Sequence, residues 1–324
     1  MRIKLAVIAL LFSSPSAAGP KSLDLGGLVI VLSDAPTAQI FHIVDQLSQW
    51  EIYSHKQYSR WADSTKLLDE RDRELLLQHA KMRKQRGSGH GFEQTFLVDD
   101  SIENAAIKGV AEGFLPSDEA NAERDILLHF APKLQPLLRE RQGEIDRLKQ
   151  RLESEQMRLT PTVRQLARFA EVKDPPTVTV FLVSNTEERS GGGEANGGRL
   201  VIEVPSPDAI GALLHESLHQ LLRPQQALIR SAAETAALDF TVLNEGIAYA
   251  LYPGITGETD GGDRLIEQLV TMQLRGVPTT DRYLQFDLMA AVIRPLLRTA
   301  LAQNETITAF LPKAIAKWRS ITPK

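Results

Sequence analysis

The sequence predicts an α+β fold that is mostly helical and carries a small mixed β-sheet. Two observations predict it. Between residues 37 and 172, apolar residues recur at the three-to-four-residue spacing of amphipathic helices. Three short runs rich in β-branched residues, 28–32, 177–183 and 199–204, have the length and composition of strands. Because these runs are few and short, the expected sheet is small.

The amino-acid composition limits the classes of protein, partner and metal site that are possible. The 324 residues include 43% hydrophobic and 24% charged residues, as in ordinary soluble globular proteins, and the length allows one large domain or two coupled subdomains. The 37 Lys and Arg nearly balance the 41 Asp and Glu, so we expect no nucleic-acid partner. There is no cysteine, which leaves His, Asp and Glu as the strong metal ligands.

The first residues are typical of a secretory signal. Arg2 and Lys4 precede an apolar stretch at 5–12, and small residues at 16–18 form a cleavage site. A membrane anchor is the alternative, but these eight apolar residues fall far short of the roughly 20 that span a bilayer. We predict that residues 1–18 are removed and that the mature protein is periplasmic or secreted, with no stable membrane span.

Residues 19–175 form the predicted N-terminal subdomain, mainly helical. Helical patterns cover residues 37–86 and 93–113, and a third begins at Pro116. Pro132 and Pro136 are expected to kink or split that third helix.

Farther along the same half, one apolar residue recurs every seventh position inside a charge-rich stretch: Leu138, Ile145, Leu152 and Leu159. A coiled coil is one interpretation. Too few heptads support it, so a long helix that packs one stripe on the body of the protein is favoured. A separate short helix is expected at 161–172.

Residues 176–324 form the second predicted domain, and its two strand-like runs enclose a glycine-rich stretch at 190–198. The stretch lacks the GK[ST] ending of a phosphate-binding loop and leads into a strand. We therefore interpret it as a flexible hairpin connection between the two runs.

A helix with a chemical motif follows. Ser206 is the expected N-cap and Pro207 the first helical residue, and the apolar pattern ends at Pro224. Within it stands His215-Glu216-Ser217-Leu218-His219. Four residues rotate a helix by about 400°, so His215 and His219 share a face and can bind one tetrahedral zinc ion. Glu216 is offset by about 100°, where it can reach a water on the metal.

Such a pentapeptide also arises by chance in roughly one chain in a hundred of this size. A third ligand would strengthen the interpretation, and since no histidine follows His219, it must be acidic. Glu245 lies in an apolar helical pattern at 240–251, where a carboxylate without a partner is costly. Solvent exposure of Glu245 is the alternative, and Glu234 and Asp239 are less attractive rivals in a more polar stretch.

The two motifs, His-Glu-Ser-Leu-His and Asn-Glu-Gly-Ile-Ala, with 25 residues between His219 and Glu245, resemble those of the gluzincin clan of zinc metallopeptidases, which includes thermolysin and the zinc aminopeptidases. The resemblance covers residues 177–253 and extends loosely to 311. It implies that His215, His219 and Glu245 hold one Zn²⁺.

The resemblance further implies that Glu216 is the general base and that the catalytic domain is zincin-like. In that fold an edge strand above the motif helix binds extended substrate, and 199–204 is the candidate strand. Thermolysin-like enzymes stabilise the oxyanion with a downstream histidine that this chain lacks. The aminopeptidases use a tyrosine, which points to Tyr283, with Tyr249 as a rival that could instead support a ligand.

The amine-binding motif of the aminopeptidases is not matched, and its role is not assigned to Glu194, although that residue lies in the glycine-rich stretch. Endopeptidase and exopeptidase therefore both stay open. The remaining histidines lack ligand spacing and are interpreted as structural: His42, His55, His79, His90 and His129.

The predicted function is zinc-dependent hydrolysis of peptide bonds in a peptide or protein substrate. The alternative is an exported, non-catalytic binding or assembly protein with a zincin fold, against which the intact Glu216 argues. A third interpretation takes residues from about 21 to 175 as an inhibitory prosegment.

Overall fold

A five-stranded mixed sheet lies at the centre of the described part of the protein. The computed structural model describes residues 21–51, 54–87, 89–196, 198–251, 271 and 282–321; the predicted signal, 1–18, lies outside them. The strands are β1 (Lys21–Asp24), β2 (Val29–Ser33), β3 (Thr177–Ser184), β4 (Gly193–Asn196) and β5 (Arg199–Val204), in the order β1-β2-β3-β5-β4. The α+β prediction, mostly helical with a small mixed sheet, is confirmed.

The hairpin predicted between the runs at 177–183 and 199–204 is wrong. These runs are β3 and β5, which are parallel neighbours. After β3, the chain crosses to the far side of the β5 position, forms β4, and returns through β5, so that β4 and β5 are the antiparallel pair. The glycine-rich stretch thus contributes a strand of the sheet as well as a connection.

β4 is the edge strand on this side of the sheet, and the prediction that 199–204 forms the edge is also wrong. β5 pairs with β3 on one side and β4 on the other. Consecutive β5 residues Leu200, Val201 and Ile202 are all buried, because helices cover both faces of the sheet there. Such a continuous apolar run is typical of a central strand.

Eleven α-helices lie within the described residues. They are α1 (Pro36–Ser48), α2 (Lys56–Thr65), α3 (Glu70–Arg86), α4 (Gly91–Phe96), α5 (Ile102–Ala111), α6 (Ser117–Phe169), α7 (Ala209–Leu222), α8 (Gln226–Thr235), α9 (Phe240–Leu251), α10 (Arg282–Ala302) and α11 (Ile307–Ile321). A 3₁₀ turn, Arg223–Gln225, joins α7 to α8. Of the helices described here, none combines the length and the apolarity that crossing a membrane requires.

Helix α6 is continuous over 53 residues, so the predicted split near Pro132 and Pro136 and the separate helix at 161–172 are wrong. The residues of the seven-residue stripe, Leu138, Ile145, Leu152 and Leu159, are all buried, as predicted for a long helix packed on the body. Tertiary packing offsets the hydrogen bonds that proline removes, since most helical stability in proteins comes from burying an apolar face.

The sheet separates two apolar clusters. One face packs on α1, with Phe41, Val183 and Val201 in a shared cluster. The opposite face packs on α6 and α7, and its cluster includes Ile202 and Leu218. Because β1 and β2 precede residue 175 and β2 pairs with β3, both halves of the chain build this sheet.

Candidate metal centre

Helix α7 begins at Ala209, two residues later than predicted. Its N-cap is Asp208, whose carboxylate accepts a hydrogen bond from the Gly211 backbone N–H at 2.8 Å. Ser206 and Pro207 lie in the preceding turn, so the predicted cap at Ser206 is wrong. Asp208 caps as well as serine does and adds a negative charge at the positive end of the helix dipole.

Helix α9 is continuous over the predicted range and lies beside α7. The side chain of Asp239 accepts hydrogen bonds from the first turn, the nearer from the Thr241 backbone N–H at 2.7 Å. Gly246 allows α10 to pack closely, because a Cβ there would lie 2.2 Å from Cγ of Met289. This close packing occurs next to Glu245, which α9 directs towards α7.

The structure brings the three predicted ligands together. Nε2 of His215 and Nε2 of His219 are 3.3 Å apart. Oε2 of Glu245 lies 3.5 Å from the first nitrogen and 3.3 Å from the second. Among the described residues, these three form the one group of His and acidic side chains whose ligand atoms converge in this way. We call them the ligand triad.

These separations fit a tetrahedral zinc ion. Ligand atoms about 2.0–2.1 Å from zinc at tetrahedral angles are about 3.3–3.4 Å from one another. Hydrogen bonds alone account for these contacts less well than a metal ion does. If Nε2 of both imidazoles donates to Glu245, neither nitrogen can accept a hydrogen bond from the other, although they are neighbours. Two imidazoles and one carboxylate are also a ligand set of catalytic zinc sites, which leave a fourth position open.

Asn244 supports the triad and was missed by the sequence analysis. Nδ2 of its side-chain amide lies 3.1 Å from Nδ1 of His219. If Nε2 ligated a metal, the proton would be on Nδ1, and the amide turned by 180° would present its oxygen as the acceptor. The signal for this role was its place directly before Glu245 on the same helix, since ligating histidines regularly donate their second N–H to a nearby acceptor.

Glu216 lies outside the triad and borders the same space. It is 7% exposed, and its Cγ would be 2.8 Å from a Cβ at Gly193, so the absence of a side chain there brings β4 close to α7. Burial raises the pKa of Glu216 to about 7. Burial also acts against ionisation of Glu245, but the neighbouring His219 and His215 hold its pKa well below the usual range.

A cavity of about 500 Å³ extends from these residues. Both candidate tyrosines line it: Tyr249 packs edge-on against His215 with ring centroids 4.9 Å apart, and Tyr283 is 47% exposed. Phe286 contacts both rings. Burial and the charge of Glu245 raise the pKa of Tyr249 well above its usual value.

The opposite wall of the cavity includes side chains that the sequence analysis did not connect with the site: Glu51, His55, His90 and Glu194. Glu51 and His55 lie between α1 and α2, inside the stretch predicted to be helical. Glu194 lies on the edge strand β4. No local sequence pattern predicts that these residues line the cavity, because only the tertiary fold brings α1 against β4.

The rival ligands lie elsewhere. Glu234 is exposed on α8, and Asp239 caps α9 and pairs with Arg282 at 2.8 Å. Other histidines pair with carboxylates: His42 and His55 with Glu203, His79 with Asp45 and Glu123, and His129 with Asp72.

Comparison of the chain with models of protein families, with curated proteins and with solved structures finds no match. The geometry of the site therefore carries the functional argument.

Proposed function

We propose that this protein is a zinc-dependent peptidase in which His215, His219 and Glu245 hold one Zn²⁺ and Glu216 is the general base. The observation that carries the proposal is the near-equilateral arrangement of the three ligand atoms, 3.3–3.5 Å apart. A structural zinc site uses four protein ligands, whereas this one offers three beside a cavity.

A zincin-like arrangement, also part of the proposal, is supported by how β4 lies against the motif helix. Gly193 on β4 contacts Glu216 on α7, and α9 supplies the third ligand. In the described part of the chain, β4 has no strand on its outer side, so its backbone groups are available to a peptide in extended conformation. Peptide or protein is therefore the substrate class that we propose.

In the proposed reaction, bound zinc supplies a Lewis acid and a water of lowered pKa. Glu216 would accept a proton from the attacking water and return it to the departing amine, since its carboxylate borders the cavity beside the triad. Asn244 keeps the ring of His219 in the ligating orientation through Nδ1. Tyr283 stabilises the oxyanion, with Tyr249 as the alternative donor, because both phenols line the same cavity.

We further propose that the protein acts in the periplasm or outside the cell, which rests on the signal-like sequence of residues 1–18. A non-catalytic binding protein would also hold zinc, so a test must separate binding of the metal from hydrolysis.

The test compares Glu216→Gln with the wild-type protein. The variant should keep one zinc ion per chain by elemental analysis and lose about 10²–10⁴-fold in the rate of cleavage of a peptide library. Glu234→Gln, which changes an exposed glutamate on α8, is the matched control and should keep both zinc and activity. Equal turnover by Glu216→Gln and the wild type would refute the proposed mechanism.

A further inference from the structure

The cavity has a second wall, built by the N-terminal half. Its most firmly held side chain is His55, whose Nδ1 lies 2.8 Å from Oε1 of Glu203. Glu203 is 1% exposed and accepts further hydrogen bonds from His42, Gln57 and the backbone N–H of Gly192. The position of the His55 ring is therefore set by a carboxylate that has no access to solvent.

The backbone at His55 is held as well. Its N–H donates to Oε1 of Gln46 at 2.6 Å, and Nε2 of the same Gln46 donates to Glu194 on the edge strand at 2.8 Å. His55 is thus attached to both α1 and β4. A side chain fixed at its ring and its backbone is pre-organised for binding, because little conformational entropy remains to be lost.

Nε2 of His55 is available to a ligand. Within the described residues, the ring makes its hydrogen bond through Nδ1, and it is 25% exposed and borders the cavity. Burial lowers the pKa of His55, but the hydrogen bond and charge of Glu203, with Glu194 and Glu51, more than offset this and raise it to about 9. Nε2 therefore carries a proton and is a donor near neutral pH.

The neighbouring charges decide which acceptor fits. Glu203, Glu194 and Glu51 face His55, and His42 is the one other imidazole at Glu203. Glu203 is ionised beside the two imidazoles, and Glu194 and Glu51, whose pKa values burial raises, add negative charge as they ionise, so these surroundings favour a neutral group over an anion. A neutral carbonyl oxygen, such as that of a peptide bond, takes the hydrogen bond without this repulsion.

His55 lies within reach of a peptide at the metal centre. A Cβ at Gly192 would be 3.3 Å from Cε1 of His55, and one at Gly193 would be 2.8 Å from Cγ of Glu216. Since consecutive Cα atoms are about 3.8 Å apart, the two side chains are within about 13 Å of each other. An extended peptide covers that distance in about four residues.

We propose that His55 is a substrate-binding residue, which donates a hydrogen bond from Nε2 to a backbone carbonyl of a peptide several residues from the bond to be cleaved. The N-terminal half is then a permanent wall of the site. This inference rests on the proposed function in taking the substrate to be a peptide.

The test measures binding in zinc-loaded Glu216→Gln protein, so that no turnover is needed. Blocked random peptides of three and of ten residues are mixed with the protein, and those retained on ultrafiltration are counted by mass spectrometry. His55→Asn keeps an amide near the Nδ1 position, so it preserves the bond to Glu203 and removes the donor at Nε2. His55→Gln places an amide near Nε2 instead.

His55→Asn should reduce retention of the ten-residue peptides about tenfold and that of the three-residue peptides less, since an extended tripeptide spans about 10 Å of a separation of at most about 13 Å. His55→Gln should restore much of the loss. His129→Asn, a change of a histidine that pairs with Asp72 and does not line the cavity, should have no effect. Equal retention by His55→Asn and its parent, an equal loss for both peptide lengths, or no retention of any peptide overturns the inference. Failure of the proposed function is seen separately, as undiminished turnover in Glu216→Gln.

Discussion

Two sets of two histidines and one glutamate lie on opposite faces of strands β4 and β5. The ligand triad lies on the α7 side. The second set, His42, His55 and Glu203, lies on the α1 side, and we call it the buried triad. Both sets bring imidazole nitrogens within 3.5 Å of a carboxylate.

The two sets differ in where their lone pairs point. In the ligand triad, both Nε2 atoms face each other and the carboxylate, an arrangement that a cation satisfies. In the buried triad, each imidazole bonds to the same carboxylate oxygen, while Gln57 and the Gly192 backbone N–H donate to the other. Residue types alone do not define a metal site, because convergence of unshared lone pairs is also needed.

The largest expected difference between the triads is in metal content. His219→Ala removes one of three ligands, so zinc should fall from one ion per chain to nearly none by elemental analysis. His42→Asn, the equivalent loss of an imidazole from the buried triad, should leave zinc content unchanged. Loss of zinc from both variants would show that the two triads do not differ in metal binding.

In the free energy of unfolding, the buried triad should show the larger effect. Glu203→Ala leaves the buried His42 and the half-buried His55 without their shared carboxylate, and we expect a loss of about 3–5 kcal/mol in the free energy of unfolding. Gln57→Ala removes a single neutral donor to Glu203 and should cost about 1 kcal/mol. Urea denaturation of zinc-loaded protein measures both, and similar losses in the two variants would contradict a special role of the carboxylate.

A smaller effect should appear as a pH dependence. The pKa of His55 is raised to about 9 in the folded protein, from an ordinary value of 6.5. A group with a raised pKa stabilises the fold fully below its unfolded pKa, and this contribution is lost as pH rises through the folded value. Between pH 6.5 and 9, the wild type should therefore lose on the order of 2–3 kcal/mol that His55→Asn does not.

Urea denaturation at both pH values gives this difference. His79, whose pKa is also raised to about 9 by Glu123 and Asp45 against the effect of burial, titrates in the same window. It does so in both proteins, so the difference between them reports His55 together with the groups that interact with it, His42, Glu194 and Glu51. Identical pH dependence in the wild type and His55→Asn would show that Glu203 does not stabilise a charged His55.

Helix-level features could be predicted from the sequence because they depend on neighbours along the chain. The spacing of His215 and His219 places them on one face of any helix, and the apolar surroundings of Glu245 made it the preferred acidic candidate. The stripe from Leu138 to Leu159 likewise indicated a long packed helix. The continuity of this helix through Pro132 and Pro136 could not be predicted from the stripe. Proline disrupts a helix locally, and packing elsewhere in the protein can override that effect.

The pairing of strands in the sheet could not be predicted from the sequence. The run at 199–204 has the composition of a strand, but its central position depends on β3 and on the return of the chain through β4. The buried triad is a stronger case: His42 and Glu203 are separated by 161 residues, and no spacing rule connects them.

The sequence by itself determined which residues carry the proposed chemistry, because two ligands and a base within one helical turn need only the geometry of that helix. Tertiary structure alone decided that Glu245 meets them, that β4 is the edge beside them, and that His55, on the other face of the sheet, borders the same cavity. These contacts join distant residues, and they exist only once the sheet has brought α1 and α7 to its two faces.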